Sequence, residues 1–199
     1  MSFQTIGKSP LRKDGFNKVT GKTKYIDDLQ FDNCLYGKAV RSTVPRGMIL
    51  NITYDPCIPW SEFIIVTAKD IPGDNVVSLL ELDEPFIPEK EVRYIGEPIV
   101  LIAHENPILV EQAVKKIYIE YKELPAVFDT EEELTPEKIQ HNHDNVLKKV
   151  HFHKGDVASI WDKADLVWEG KYTTAAQEHA YIEPQGVVAC ASPEQGVTV

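Results

Sequence analysis

The spacing of hydrophobic residues changes several times along this chain, and each change marks an element. Gly37-Lys38-Ala39-Val40-Arg41-Ser42 and Ile49-Leu50-Asn51-Ile52-Thr53-Tyr54 read as two strands, with Val44-Pro45-Arg46-Gly47 supplying the turn between them. Phe63-Ile64-Ile65-Val66 reads as a short apolar strand. From Thr67 to Glu91 the chain is rich in Pro, Gly, Asp and Glu, and reads as a long irregular surface loop. The clearest signal lies between Ile99 and Tyr121. Ile99-Val100-Leu101-Ile102-Ala103 is continuously apolar, as expected of a strand covered on both faces. Asn106 can then cap a helix and Pro107 suits its first position. Val110, Ala113, Val114 and Ile117 recur at helical spacing, opposite Glu111, Gln112, Lys115 and Lys116. Glu111 and Lys115 are placed for an i,i+4 ion pair. Ile119-Glu120-Tyr121 resumes a strand, which Leu124-Pro125 ends. This strand–helix–strand unit predicts a mixed α/β region.

On either side the pattern weakens. Residues 1–23 hold few apolar side chains and read as an extended arm leading into the first strand. Residues 129–149 combine the acidic run Asp129-Thr130-Glu131-Glu132-Glu133 with Pro136 and the polar Gln140-His141-Asn142-His143-Asp144-Asn145. They read as a surface connector and a domain boundary. Beyond it, Asp156 can cap a short helix in which Val157, Ile160, Trp161 and Ala164 share a face. A long strand is expected next, with Trp168, Gly170 and Tyr172 on one side and Glu169, Lys171 and Thr173 on the other. Gly186 to Ala191 and Gly196 to Val199 are expected to form two further strands. The predicted fold class is α+β, or mixed α/β: a mixed sheet with a strand–helix–strand unit, followed by a second α/β region.

Composition narrows the function classes. The 199 residues include 21 basic and 31 acidic side chains, for a net charge of −10, which argues against nucleic acid or an anionic membrane as a main partner. Cys34, Cys57 and Cys190 are widely spaced, odd in number and without a CxxC pair. Neither a disulfide framework nor a structural zinc site is expected, and a reducing compartment fits. The N-terminus has no apolar core of a signal peptide, and no run of about 18 apolar residues occurs. The expected location is the cytoplasm, with no membrane span.

Four candidates for chemistry remain. His141-x-His143 and His151-x-His153 could offer paired imidazoles to zinc, since i and i+2 share a side in extended chain. The bland alternative, solvated histidines of a polar loop, is preferred. Glu97, in Gly96-Glu97-Pro98, could present an acid or base. The preferred reading is a turn whose carboxylate binds nearby N–H groups. Cys190, on an apolar strand, is expected to be a buried and inert thiol. The densest cluster is Gln177-Glu178-His179-Ala180-Tyr181-Ile182-Glu183-Pro184-Gln185-Gly186. Glu178–His179 or His179–Glu183 could be an acid–base couple. Without a GxSxG elbow or other visible nucleophile, a structural turn is the preferred reading.

In order, several segments resemble the molybdenum-binding large subunit of the xanthine dehydrogenase and aldehyde oxidase family. Ile6-Gly7-Lys8-Ser9, Asp14, Lys18-Val19-Thr20-Gly21 and Tyr25-Ile26-Asp27-Asp28-Leu29 resemble its N-terminal arm. Leu35-Tyr36-Gly37-Lys38-Ala39-Val40-Arg41-Ser42 is similar to its first long strand. Thr67-Ala68-Lys69-Asp70-Ile71-Pro72-Gly73, Val92-Arg93-Tyr94-Ile95-Gly96-Glu97-Pro98, Tyr121-Lys122-Glu123-Leu124-Pro125-Ala126-Val127 and Gln177 to Pro184 are strong matches.

The resemblance implies an α/β-hammerhead domain at 24–128 and, from 150 to 199, the opening of a molybdopterin-binding domain, incomplete here. It implies hydroxylation of N-heterocycles or aldehydes by a molybdenum–pterin centre with a water-derived oxygen. Electrons would leave through iron–sulfur clusters, commonly to a flavin. In the family, the glycine-rich cofactor loops and the glutamate base lie far downstream, and nothing in this chain matches them. No iron–sulfur cysteine pattern is present either. No catalytic residue is therefore assigned. Gln177, Glu178, His179 and Glu183 carry over as a signature of the cofactor-binding portion, expected to shape it without doing chemistry.

The resulting expectation is the N-terminal portion of a molybdenum hydroxylase, inactive alone and with no cofactor bound to this chain. Its expected partners are the rest of the large subunit and iron–sulfur and FAD-binding subunits or domains. Self-association through unpaired strand edges is also expected. The alternatives are a stand-alone interaction or oligomerisation module, and a small metal-dependent hydrolase built on the HxH pairs.

Overall fold

The computed structural model describes residues 6–77, 84–132, 134–140, 144–146, 148–161, 163–183 and 185–199. The chain forms two compact units. One is Asn33–Gly155, and the other joins Met1–Asp32 to Asp156–Val199.

The first unit is built on two antiparallel sheets. Strands β1 (Tyr36–Arg41), β2 (Gly47–Tyr54), β3 (Ile64–Val66), β4 (Glu91–Val92), β5 (Pro98–His104) and β6 (Ile117–Glu123) are joined in part by helix α2 (Pro107–Val114). One sheet has the order β1-β5-β3 and the other β4-β2-β6. Every strand pair among the described residues is antiparallel, where the strand–helix–strand pattern suggests a mixed sheet. The physical reason is the route of the crossover: β5 and β6, at the two ends of α2, belong to different sheets, so the helix never returns the chain to a parallel neighbour.

The core forms where the central strands meet the helix. Val92, Ile99, Val100, Ile102, Val110 and Ala113 are each no more than 1% exposed. Ile99 and Val100 point to opposite faces of β5 and both are buried, so this strand is covered on two sides at that point, while Leu101 stays partly exposed. Pro98 opens β5, where its missing N–H costs no ladder bond. Asn106 caps α2, its Oδ1 accepting from the N–H of Ile108 at 2.9 Å and of Leu109 at 3.4 Å.

Two details depart from expectation. Ile117 begins β6, opposite Tyr54, and is not part of the helix, which ends at Val114. Glu111 pairs with Lys38 of β1, so the helix charge ties α2 to its sheet.

The loop before β4 contains a 3-10 turn at Ala68–Asp70 and a bridge between Val77 and Glu84. The polar stretch after β6 is held by specific contacts. A 3-10 turn spans Pro136–Lys138, Lys138 pairs with Glu132, and Asn145 spans the turn. The Asn145 Oδ1 accepts from Gln140 N–H at 2.7 Å, and its Nδ2 donates to Lys138 O at 3.0 Å.

The second unit is more open. It contains the short helices α1 (Gly15–Val19) and α3 (Ala158–Trp161) and the hairpin of β7 (Cys190–Ser192) with β8 (Gly196–Thr198). Helix α1 lies inside the stretch expected to be wholly extended. Asp156 Oδ1 accepts from Ser159 N–H at 3.2 Å, as a cap should. Residues 168–173 and 186–189, expected as strand, are irregular and form no strand. None of the described residues from 156 to 199 is buried. No helix among the described residues is long and apolar enough to cross a membrane.

Candidate functional site

The segment from Gln177 to Gly186, of which Pro184 lies outside the described residues, is irregular and exposed. Its polar groups do not form the acid–base couple. Glu178 turns back on its own chain, its Oε1 accepting from Ala180 N–H at 3.3 Å. Ala180 takes a φ of 53°, a left-handed conformation unusual for a residue with a Cβ. The His179 ring stacks on Tyr181 with centroids 5.9 Å apart and an interplanar angle of 6°. Glu183 reaches across 157 positions of sequence, and its Oε1 accepts from the backbone N–H of Ile26 at 3.1 Å.

That contact creates a cleft. Lys24, Tyr25, Ile26 and Leu29 form one wall, and Tyr181, Glu183, Gln185 and Gly186 the other, around an open volume of about 630 Å³. The arm side is set by the 3-10 turn Ile26–Asp28, whose own carboxylate Asp28 Oδ2 accepts from Tyr25 N–H at 3.0 Å. Gly186 packs under Ile26: a Cβ there would stand in ordinary van der Waals contact, 3.4 Å from Ile26 Cγ2. Local sequence reading could not pair Ile26 with Glu183, although both segments stand out as family motifs.

The other candidates resolve separately. Glu97 is 1% exposed and serves the turn that carries it. Its Oε2 accepts from Arg93 N–H at 2.6 Å, and Gly96 beside it takes a φ of 91° that glycine tolerates. Burial pushes the Glu97 carboxyl above its usual range, opposed by the bond from Arg93. The turn is tied to the end of β1 by Ser42 N–H to Glu97 O at 2.8 Å and Gly96 N–H to Ser42 O at 2.9 Å. Cys190 is exposed, not buried, because among the described residues no second layer covers the β7–β8 hairpin. His141 and His143 lie outside the described residues, and His151 and His153 are exposed on irregular chain. Among the described residues, no group of three or more His, Cys, Asp or Glu is placed to hold a metal ion.

A pterin cofactor with its phosphate needs several hydrogen-bond donors converging in an enclosed pocket. The described residues of this segment do not meet that test. The Glu183 carboxylate is an acceptor engaged by the arm, Gln177, Glu178 and His179 face solvent, and the cleft is open. This segment can shape a wall.

Comparison with known proteins finds two matching regions along the chain. Residues 20–125 match the model for the a/b hammerhead domain of aldehyde oxidase and xanthine dehydrogenase, and residues 139–199 match that for a molybdopterin cofactor-binding domain. The chain is 36% identical to a probable xanthine dehydrogenase subunit of Bacillus subtilis, over 96% of this chain and 26% of that protein. It is 32% identical to the nicotinate dehydrogenase large molybdopterin subunit of Eubacterium barkeri, over 99% of this chain and 47% of that one. The chain thus spans about a quarter to a half of the length of these relatives. Among solved structures, the aldehyde oxidoreductase of Desulfovibrio gigas superposes with a TM-score of 0.62 at 22% identity, covering 78% of this chain and 19% of that one. With the hammerhead model covering more than half of it, the chain belongs to the aldehyde oxidase and xanthine dehydrogenase family.

Proposed function

We propose that this chain supplies the hammerhead domain and the opening of the cofactor-binding domain to a molybdenum hydroxylase acting on N-heterocycles or aldehydes. The observation that carries this reading is the head-to-tail match of 20–125 and 139–199 to the two domain models. The hammerhead assignment at 24–128 and the cofactor-binding assignment from 150 belong to the same reading, with 129–149 as connector. Molybdenum–molybdopterin, when bound, supplies the oxygen-transfer and two-electron chemistry. Gln177, Glu178, His179 and Glu183 shape the neighbouring wall. Further partners are the remaining large-subunit domains and the iron–sulfur and FAD-binding subunits or domains, in the cytoplasm.

By itself the 199-residue chain is proposed to hold no molybdenum and to oxidise neither heterocycle nor aldehyde. It should self-associate through surface such as Leu166, Trp168 and Tyr172, each about four-fifths exposed. The test is antibody capture of the native protein that carries this sequence, followed by metal analysis and dye-linked oxidation of xanthine, nicotinate and benzaldehyde. Molybdenum that co-isolates with one of these activities supports the reading. Clean capture with neither overturns it. Stoichiometric molybdenum on the isolated 199-residue chain would overturn the narrower statement about the chain alone.

A further inference from the structure

The hammerhead model begins at residue 20 and so takes in the segment Tyr25–Leu29. The packing divides the chain differently, because Met1–Asp32 clusters with Asp156–Val199. We propose that Tyr25–Leu29 is a strap of the cofactor-binding portion, and that Glu183 is the positioning residue that fastens it.

Three observations meet here. The first is polar: Glu183 Oε1 accepts from Ile26 N–H at 3.1 Å, which gives a first-turn N–H of the 3-10 turn Ile26–Asp28 an acceptor. The second is steric: the Ile26 side chain lies over Gly186, with Cγ2 at 3.4 Å and Cδ1 at 3.5 Å from where a Cβ would stand. A Cβ alone fits at that distance, so it is the further methyl groups of a branched side chain at 186 that would crowd Ile26. The third is the preorganisation of the strap itself, since Asp28 Oδ2 accepts from Tyr25 N–H at 3.0 Å and closes the turn through its own residues. A turn that is already formed loses little further entropy when it docks. The contact therefore restrains Tyr181–Glu183 and Gln185–Gly186, which have neither strand pairing nor burial of their own.

The inference takes its meaning from the reading of 139–199 as a cofactor-binding portion, but its test needs no cofactor. Amide hydrogen exchange is followed in the full 199-residue chain and its variants. Glu183→Ala is expected to speed exchange at Ile26 about tenfold, the effect of losing one hydrogen bond to a charged acceptor. Glu183→Gln, whose carboxamide oxygen can still accept, should stay near the parent rate. Gly186→Val should speed Ile26 as Glu183→Ala does. In all three the amides of Ile99, Val100 and Ile102 should exchange as in the parent, because those residues belong to the other unit. An unchanged Ile26 rate in Glu183→Ala overturns the proposal. So does equal acceleration at Ile99, Val100 and Ile102, which would make the contact a part of general folding. Failure of the molybdenum assay leaves these rates unaffected, so the two readings fail separately.

Discussion

Arg46 donates through Nε to Glu91 Oε1 at 2.8 Å, and the same guanidinium holds the stretch that follows β6. Its Nη1 donates to Pro125 O at 2.9 Å and to Glu137 O at 2.6 Å. The side chain is 8% exposed and that of Glu91 31%. A buried cation with a paired carboxylate and two carbonyls is costly to break, because each acceptor is left without its donor. Arg46→Met is expected to lower the unfolding free energy by about 3 kcal/mol, measured by urea denaturation, since loss of one partner strands the rest. Arg46→Lys should recover only part, because an ammonium lacks the planar fork that reaches three acceptors in fixed directions. A loss below about 1 kcal/mol for Arg46→Met would reduce this to an ordinary surface pair.

Asn106→Ala should cost about 1 kcal/mol, the usual worth of an N-cap that serves two backbone N–H groups. Asn106→Asp should retain most of that stability, and a thermal melt of the three proteins decides it. This cap is legible in the sequence because its whole apparatus is local: Asn106, Pro107, then Val110 and Ala113 facing the core. Helical spacing misplaces Ile117 for a reason equally local. A buried apolar residue three positions after Val114 satisfies that spacing, yet it leads a strand that pairs with Tyr54. Alternation at Trp168, Gly170 and Tyr172 gives a face but not a partner, and no partner strand lies among the described residues. Arg46 reads as a turn residue because its acceptors, Glu91, Pro125 and Glu137, are 45 to 91 positions away. What sequence reading misses is long-range and polar.

Glu97 makes stability depend on pH in a defined direction. Burial raises its carboxyl above the ordinary 4.5, against the opposing bond from Arg93 N–H, so the folded chain holds the proton more tightly than the unfolded chain. Its contribution is complete below pH 4.5 and is lost as pH rises through the folded value. In Glu97→Gln that decline should vanish, so the variant gains stability relative to the parent as pH rises across the window. Paired denaturation curves from pH 4 upward test this, and parallel pH profiles for the two proteins would sink it. Glu97→Ala should instead lose about 1–3 kcal/mol, because the buried carboxyl that accepts from Arg93 N–H is removed.

Asp55 and Cys57 form the opposite case at the end of β2. The Asp55 carboxylate accepts from Cys57 N–H at 3.0 Å, faces the thiol, and takes Lys116 Nζ at 3.0 Å. These interactions lower its pKa from 3.8 to about 2. The stability it contributes is present above pH 3.8 and is lost as pH falls towards about 2. The same carboxylate pushes the Cys57 thiol above its ordinary 9.0, first by accepting the thiol's hydrogen bond, with burial and the carboxylate charge adding to it. Asn at position 55 can still accept from Cys57 N–H, so the turn should survive the change. Asp55→Asn is therefore expected to flatten the acid limb of the stability profile. It should also raise the rate at which iodoacetamide alkylates Cys57 at pH 8, because reaction follows the thiolate fraction. Peptide mapping separates Cys57 from the other exposed thiol, Cys190. An alkylation rate at Cys57 equal to that of the parent would show that Asp55 does not govern this thiol.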